Sequence, residues 1–309
     1  MSMDVTFLGT GSAYPSPCRG ASAVVFRTEG ECWLFDCGEG TQTQFMRSPL
    51  KIGRITKIFI THLHGDHMFG LPGFLCTVSL QCGCTPSKQL VDIYGPVGLR
   101  EFVQRSLEIS HSQLVFPYVV HELVPSPDGS YELIADEQFT VKAFKLFHRI
   151  PSFGFVIEER ERPEFLHKST SRCFYITYPI PHVGKWGGTS ITSPKSKKVS
   201  PSDVLGDPIP GRKVCILGDC SGVIAVGGAK LCCDADVLIH EATLDDSQMD
   251  KAKEHGHSTP KMAADFANLC CARKLVLTHF SQRYKPPGLV TEGDEDVTVL
   301  KQQAMKISL

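Results

Sequence analysis

Apolar positions along this chain fall into two patterns. Short runs rich in β-branched and aromatic residues, bounded by glycine and polar turns, predict strands. These are Val5 to Leu8, Ala23 to Phe26, Cys32 to Asp36 and Ile58 to Ile60, then Gln113 to Val124, Phe139 to Phe147 and Gly154 to Glu158. Further runs lie at Lys213 to Leu217, Val237 to Ile239 and Lys274 to Thr278. Helical spacing marks Leu99 to Ser110, after a predicted turn at Tyr94-Gly95-Pro96, and Thr259 to Cys270. A last helix-like stretch runs from Asp296 to Leu309. Strands and helices alternate within each half, which predicts an α/β protein of layered sheets covered by helices.

The pattern breaks between the halves. Residues 159–210 are rich in Pro, Ser, Lys and Gly, with few periodic apolar positions. So long a stretch inside a compact domain predicts an inserted arm, a functional loop or disorder.

The densest chemistry follows Ile58 to Ile60. The segment Thr61-His62-Leu63-His64-Gly65-Asp66-His67 packs three imidazoles and a carboxylate into six residues. Neutral imidazole and carboxylate suit zinc and similar divalent ions, and four such groups can begin two adjacent sites. Other predicted strands end in the same residue types: His148, Asp219, His240-Glu241 and His279. Each has a plain structural reading, since a strand-end histidine often serves only as a hydrogen-bonding group and Asp219 follows a glycine as turn formers do. Beside the H-x-H-x-D-H cluster they become candidate ligands delivered to one sheet edge. Asp36 is either a carboxylate that orients a ligating histidine or a turn former beside Gly38. Gly9-Thr10-Gly11 lacks the spacing of a phosphate loop and reads as a tight turn.

Composition narrows the setting. Of 309 residues, 42% are apolar and 21% charged, as in a soluble globular protein, and no apolar run nears the roughly 20 residues of a membrane span. The opening MSMDVTFLGTGSA lacks the charged and apolar regions of a secretory signal. The thirteen cysteines are odd in number and form no C-x-x-C pair, so free thiols in a reducing compartment are expected rather than disulfides or a zinc ribbon. Net charge is −1, so nucleic-acid binding must rest on local basic groups. Candidates are Lys195, Lys197 and Lys198, and the later Arg273, Lys274, Arg283 and Lys285.

Several motifs narrow the reading: FLGTGSAYPS, FDCGEGTQTQ, THLHGDHMFGLPGFL, IYGP, HEAT at 240–243, HGHST at 255–259 and THFSQRY at 278–284. In this order they resemble the short-form tRNase Z family (ribonuclease Z, the ELAC zinc phosphodiesterases) of the metallo-β-lactamase superfamily. The likeness covers about residues 1–158 and 211–288. It implies a single metallo-β-lactamase domain over residues 1–309, an αββα sandwich with residues 159–210 as an inserted arm. It further implies two zinc ions, one on His62, His64 and His148, the other on Asp66, His67 and His279, with Asp219 bridging them. The implied reaction is endonucleolytic removal of the 3′ trailer from precursor tRNA, leaving a 3′-hydroxyl. Asp66 would also handle the attacking water's proton, His257 would protonate the leaving oxygen, Glu241 would hold His257, and Arg283 would contact a phosphate. A homodimer completes what the likeness implies; the cytosol is the default compartment, with the nucleus as a second one.

Two stretches depart from the family. No Gly-Pro motif stands in the arm, where Lys168, Arg172 and Lys185 are interleaved with Tyr178 and Trp186. The chain also stops at Leu309, where the family continues into a further strand, and losing that strand would expose a sheet edge. Two other readings therefore stand beside the first. One is a dizinc phosphodiesterase of small diesters that grips tRNA poorly. The other is a catalytically silent binding protein.

Overall fold

The computed structural model describes residues 2–81, 90–124, 130–162, 191–192, 198–199, 207–222 and 226–307. The first six strands are β1 (Asp4–Gly9), β2 (Ala23–Arg27), β3 (Cys32–Phe35), β4 (Ile55–Phe59), β5 (Val91–Pro96) and β6 (Tyr118–Leu123). They form one sheet in sequence order, antiparallel from β1 to β3 and parallel from β3 to β6. β7 (Ser130–Ala135), β8 (Phe139–Leu146) and β9 (Ser152–Glu159) begin the second sheet. After the small pair β10 (Ile191–Thr192) and β11 (Lys198–Val199), it is completed by β12 (Lys213–Leu217), β13 (Val237–Glu241) and β14 (Leu275–Thr278), in the order 14-13-12-9-8-7.

Side-chain alternation explains the layering. Along β2 and β3, Ala23, Val25, Cys32 and Leu34 face one core, while Val24, Phe26, Trp33 and Phe35 face another. The first core is capped by helices α1 (Thr41–Arg47), α3 (Leu71–Gln81) and α4 (Leu99–Ile109), with the one-turn α2 (Gly65–Met68) between them. The second core joins the two sheets: Phe153, Phe155, Ile157, Val214, Ile216 and Ile239 meet the aromatic face of β2 to β5. The reverse face of the second sheet packs Val156, Cys215, Leu217 and Leu238 against the helices Val226–Cys232 and Pro260–Leu269. Both faces of both sheets are covered, so the central strands read as continuous apolar runs. The four layers make the αββα sandwich.

Strands fell close to their expected places, with informative exceptions. Tyr94-Gly95-Pro96 is the end of β5 rather than a turn. β4 pairs with β5 only as far as Tyr94, so a proline beyond it breaks no ladder bond on that side. The run Gln113 to Val124 is a strand only from Tyr118 to Leu123. α3 was not anticipated, because Leu71, Phe74, Leu75 and Val78 are all buried and Pro72 and Gly73 open it, leaving little polar–apolar contrast.

Cys82, Cys84, most of the 159–210 segment, and the basic and aromatic residues named in it lie outside the described residues or their described side chains. The ten cysteines among the described residues are free. Among the described residues β14 has one partner strand, β13, and the final helix Thr298–Met305 buries Leu300 and Ala304. Among the described residues no helix is long and apolar enough to cross a membrane.

Four rings in register, Phe35, Phe59, Tyr94 and His121, stack across β3 to β6 at centroid spacings of 4.6, 5.0 and 4.6 Å. This ladder lies directly below the loops that carry the site. Phe59→Ala should destabilise the fold by about 3–5 kcal/mol, read by denaturant unfolding of metal-free protein. A loss below about 1 kcal/mol would contradict this packing.

Candidate metal centre

Chain direction concentrates polar side chains at one edge of the sandwich. β4 leads into Thr61, His62 and His64, and α2 immediately adds Asp66 and His67. His148 follows β8, Asp219 follows β12, Glu241 ends β13 and His279 follows β14. These groups are far apart in sequence and meet within a few ångströms.

Among the described residues two main groups of donor atoms form, each within 4.8 Å of one another, and a third set, Asp219, His257 and His279, overlaps them. In the first, His64 Nδ1 lies 3.1 Å from His62 Nε2 and 3.2 Å from His148 Nε2, and Asp219 Oδ2 lies 3.5 Å from His62 Nε2. In the second, His279 Nε2 lies 3.1 Å from His67 Nε2 and 3.2 Å from Asp66 Oδ2. Asp219 reaches this group too, with Oδ1 3.4 Å from His67 Nε2 and Oδ2 3.3 Å from His279 Nε2. One carboxylate thus faces both sets. Ligands about 2.0–2.1 Å from a tetrahedral ion stand about 3.3 Å from each other, so spacing and donor chemistry both fit zinc.

Neighbouring groups fix the orientation of each ligand. Asp36 accepts from His67 Nδ1 at 2.7 Å and from the Thr61 backbone N–H at 2.8 Å. Of its two readings, the structure therefore favours the orienting carboxylate. Thr61 Oγ1 lies 3.0 Å from His62 Nδ1. His148 Nδ1 donates to the Gly256 carbonyl at 2.7 Å. Gly256 has φ +78°, and a Cβ there would sit 2.8 Å from that same nitrogen, so only glycine suits the position. Thr243 Oγ1 lies 2.8 Å from His279 Nδ1 and 2.6 Å from Glu241 Oε2. The Ala13 backbone N–H donates to Asp66 Oδ2 at 2.6 Å. Ala13, Asp36 and His279 all hold left-handed backbone, with φ of 68°, 58° and 57°. Such strain concentrates where surrounding structure dictates geometry.

The electrostatics call for cations. Burial alone would raise Asp219, but His279, His67 and His62 hold it well below the usual carboxylate range. At Asp66, which is half-buried, burial again acts upward, but the His279 hydrogen bond and the charge of His67 hold it low. Burial keeps His62, His64 and His148 neutral, as metal binding requires. At His67 burial is overcome by Asp219 and Asp36, which raise it, so a proton satisfies the carboxylates where a metal otherwise would.

Beside the second group lies His257. Its Nδ1 is 3.1 Å from Glu241 Oε1 and 3.7 Å from Asp219 Oδ2. Burial lowers its pKa, but the Glu241 charge and hydrogen bond prevail and push it up to about 9. The Cys220 backbone N–H also donates to Glu241 Oε1, at 2.8 Å. Since Nδ1 is taken by Glu241, His257 is better suited to proton transfer through Nε2 than to ligation.

One candidate ligand position differs. His240 turns to the helical side, where it packs on Phe266 and lies 3.8 Å from Cys220 Sγ, so it joins neither donor group. The reason is strand alternation, which puts adjacent His240 and Glu241 on opposite faces. Arg283 is exposed and donates to Gln248 Oε1 at 3.0 Å. Thr243 and Thr61 went unread in the sequence. The i, i+2 spacing of Glu241 and Thr243 is the signal that could have found the first, while the carbonyl of Gly256 and the N–H of Ala13 leave no side-chain signal.

Asp36→Asn removes the charge that aligns His67. Zinc affinity, measured by competition with a chromophoric chelator, should fall about 10–100-fold. An unchanged affinity would contradict the orienting role.

A family model described as Anti-Pycsar protein Apyc1 matches residues 3–162. Human zinc phosphodiesterase ELAC protein 1 is 60% identical over 343 aligned positions, covering 99% of this chain and 94% of that protein. Since 343 positions exceed the 309 residues here, the human protein carries at least 34 aligned residues with no counterpart in this chain. The crystal structure of human tRNase Z, short form (ELAC1), superposes with a TM-score of 0.70 at 58% identity, covering 90% of this chain and 93% of that one. The metallo-β-lactamase fold protein YhfI from Bacillus subtilis, at 16% identity and TM-score 0.63 over 99% of this chain and 92% of its own, shares the fold. With this fold and this degree of identity, the chain belongs to the ELAC zinc phosphodiesterase, or tRNase Z, family of the metallo-β-lactamase fold.

Proposed function

We propose that this chain is a zinc-dependent endoribonuclease that removes the 3′ trailer from precursor tRNA and leaves a 3′-hydroxyl on the tRNA. The observation that carries the reading is Asp219 facing both donor groups beside the His257–Glu241 pair. The proposed ligands are His62, His64 and His148 for one zinc, Asp66, His67 and His279 for the other, and Asp219 shared. Zinc held there supplies Lewis acidity, which activates water and offsets charge on the phosphodiester.

The remaining chemistry belongs to side chains. Asp66 accepts at Oδ2 from the Ala13 N–H, which leaves Oδ1 to orient the attacking water and take its proton. His257 is protonated at neutral pH, its Nδ1 fixed by Glu241, and delivers the Nε2 proton to the departing ribose 3′-oxygen. Glu241 is itself anchored by Cys220 and Thr243, so the imidazole keeps its orientation through turnover. In this reading Arg283 contacts a substrate phosphate. The proposed partner is precursor tRNA, the assembly a homodimer, and the compartment the cytosol with the nucleus as a second location. The family resemblance supports the substrate and the assembly, and the cytosol is the default compartment.

Zinc-loaded protein should cut a precursor tRNA at the trailer boundary as well as an aryl phosphodiester. Cleavage of the diester alone would contradict the tRNA reading. His257→Ala should lower precursor turnover about 10²–10⁴-fold with zinc content unchanged. Zinc loss in that variant would contradict a proton-donor role. A donor held up to about 9 keeps the enzyme active until pH rises through that value. Glu241→Gln removes the charge that raises it, so the alkaline limb should move to lower pH.

A further inference from the structure

The ligand His148 stands between two exposed side chains that the proposed chemistry leaves unused. Phe147 is 61% exposed although it adjoins the half-buried ligand His148. Its backbone is pinned on both sides: its N–H donates to the Gly222 carbonyl and its carbonyl accepts from the Ser221 N–H, each at 2.8 Å. The ring is therefore offered to solvent from a fixed platform.

Arg149 is exposed on the other side of His148. Its stem lies over Gly256, where an added Cβ would meet Arg149 Cγ and its backbone nitrogen at 3.3 Å. Gly256 directly precedes His257, so the stem of Arg149 lies beside the segment that carries the proton donor. Arg19, Arg27, Arg100, Arg212 and Arg273 all donate to acceptors of the chain. The Arg149 guanidinium has no ion pair or hydrogen bond with any described residue. Its charge is nonetheless felt at the centre, where it adds to burial in opposing protonation of His64 and His257.

A guanidinium without a partner among the described residues and a rigidly mounted, exposed aromatic ring have complementary uses on a single-stranded nucleic acid. The planar fork suits a phosphate, and the ring face suits a base of any identity. We propose that Phe147 and Arg149 form a subsite for the nucleotide adjoining the cleaved bond. Arg149 holds a backbone phosphate that is not itself cut, and Phe147 stacks the neighbouring base. The inference rests on the endoribonuclease reading and assigns it a point of grip within the main domain, independent of the 159–210 arm.

The test measures kcat/KM for precursor tRNA and for an aryl phosphodiester, at several salt concentrations, in the parent and in Arg149→Ala, Arg149→Lys and Phe147→Ala. The ratio of precursor to diester efficiency should fall about 10-fold in Arg149→Ala and in Phe147→Ala. In Arg149→Ala the slope of log kcat/KM against log salt should flatten by about 0.7, the loss of one single-strand phosphate contact. Arg149→Lys should keep the parent slope, and Phe147→Ala should keep it while losing efficiency. Zinc content is measured in each, and parent-level zinc in the alanine variants separates lost grip from a displaced His148. A parent that cuts precursor tRNA, with alanine variants that match it in ratio and slope, overturns the subsite alone. A parent that turns over the diester but not precursor tRNA overturns the endoribonuclease reading and the subsite with it.

Discussion

Asp219 is 2% exposed, ionised and surrounded by imidazoles. A carboxylate in that position is costly unless positive charge is supplied at close range. No lysine or arginine is among the ion-pair partners of Asp219, Asp66 or Asp36 in the described residues, only histidines. Burial drives His62 toward the neutral form, while His67 and His257 are held up by these carboxylates, so protons meet a demand that a metal bound by the same donor atoms would otherwise meet. The architecture follows from satisfying this one demand with ligands drawn from separate strands.

The sandwich meets it by making the supports stiff. Strand ends from both sheets converge, and the ring stack from Phe35 to His121 together with the inter-sheet core of Phe153, Phe155 and Ile216 holds them there. Stiffness is what lets Ala13, Asp36 and His279 keep unfavourable backbone angles. Those angles in turn aim an amide, a carboxylate and an imidazole at the same small volume. Packing, strain and chemistry are thus one arrangement seen at three scales.

Much of this was legible in the sequence, for a physical reason. Strands buried on both faces announce themselves as apolar runs, and the polar residue that ends each run stands out against them. His62, His148, Asp219 and His279 were found that way, and H-x-H-x-D-H gave the rest of the donors. The misreadings have equally concrete causes. His240 lies one residue before the end of β13 but faces the helices, since Ile239 and Glu241 share the inward face and their neighbour cannot. α3 hid because burial on most sides erases amphipathic contrast. Proline at the end of β5 looked like a turn because pairing partners are invisible in one dimension. The orienting contacts from Gly256 and Ala13 come from the main chain, which every residue possesses.

The bridging position of Asp219 is the claim from which the chemistry descends. Elemental analysis of purified protein, parent beside Asp219→Ala, tests it most directly. The account predicts two zinc ions per parent chain and one or fewer in the variant, with circular dichroism showing the fold intact. A variant that still holds two would contradict the bridge.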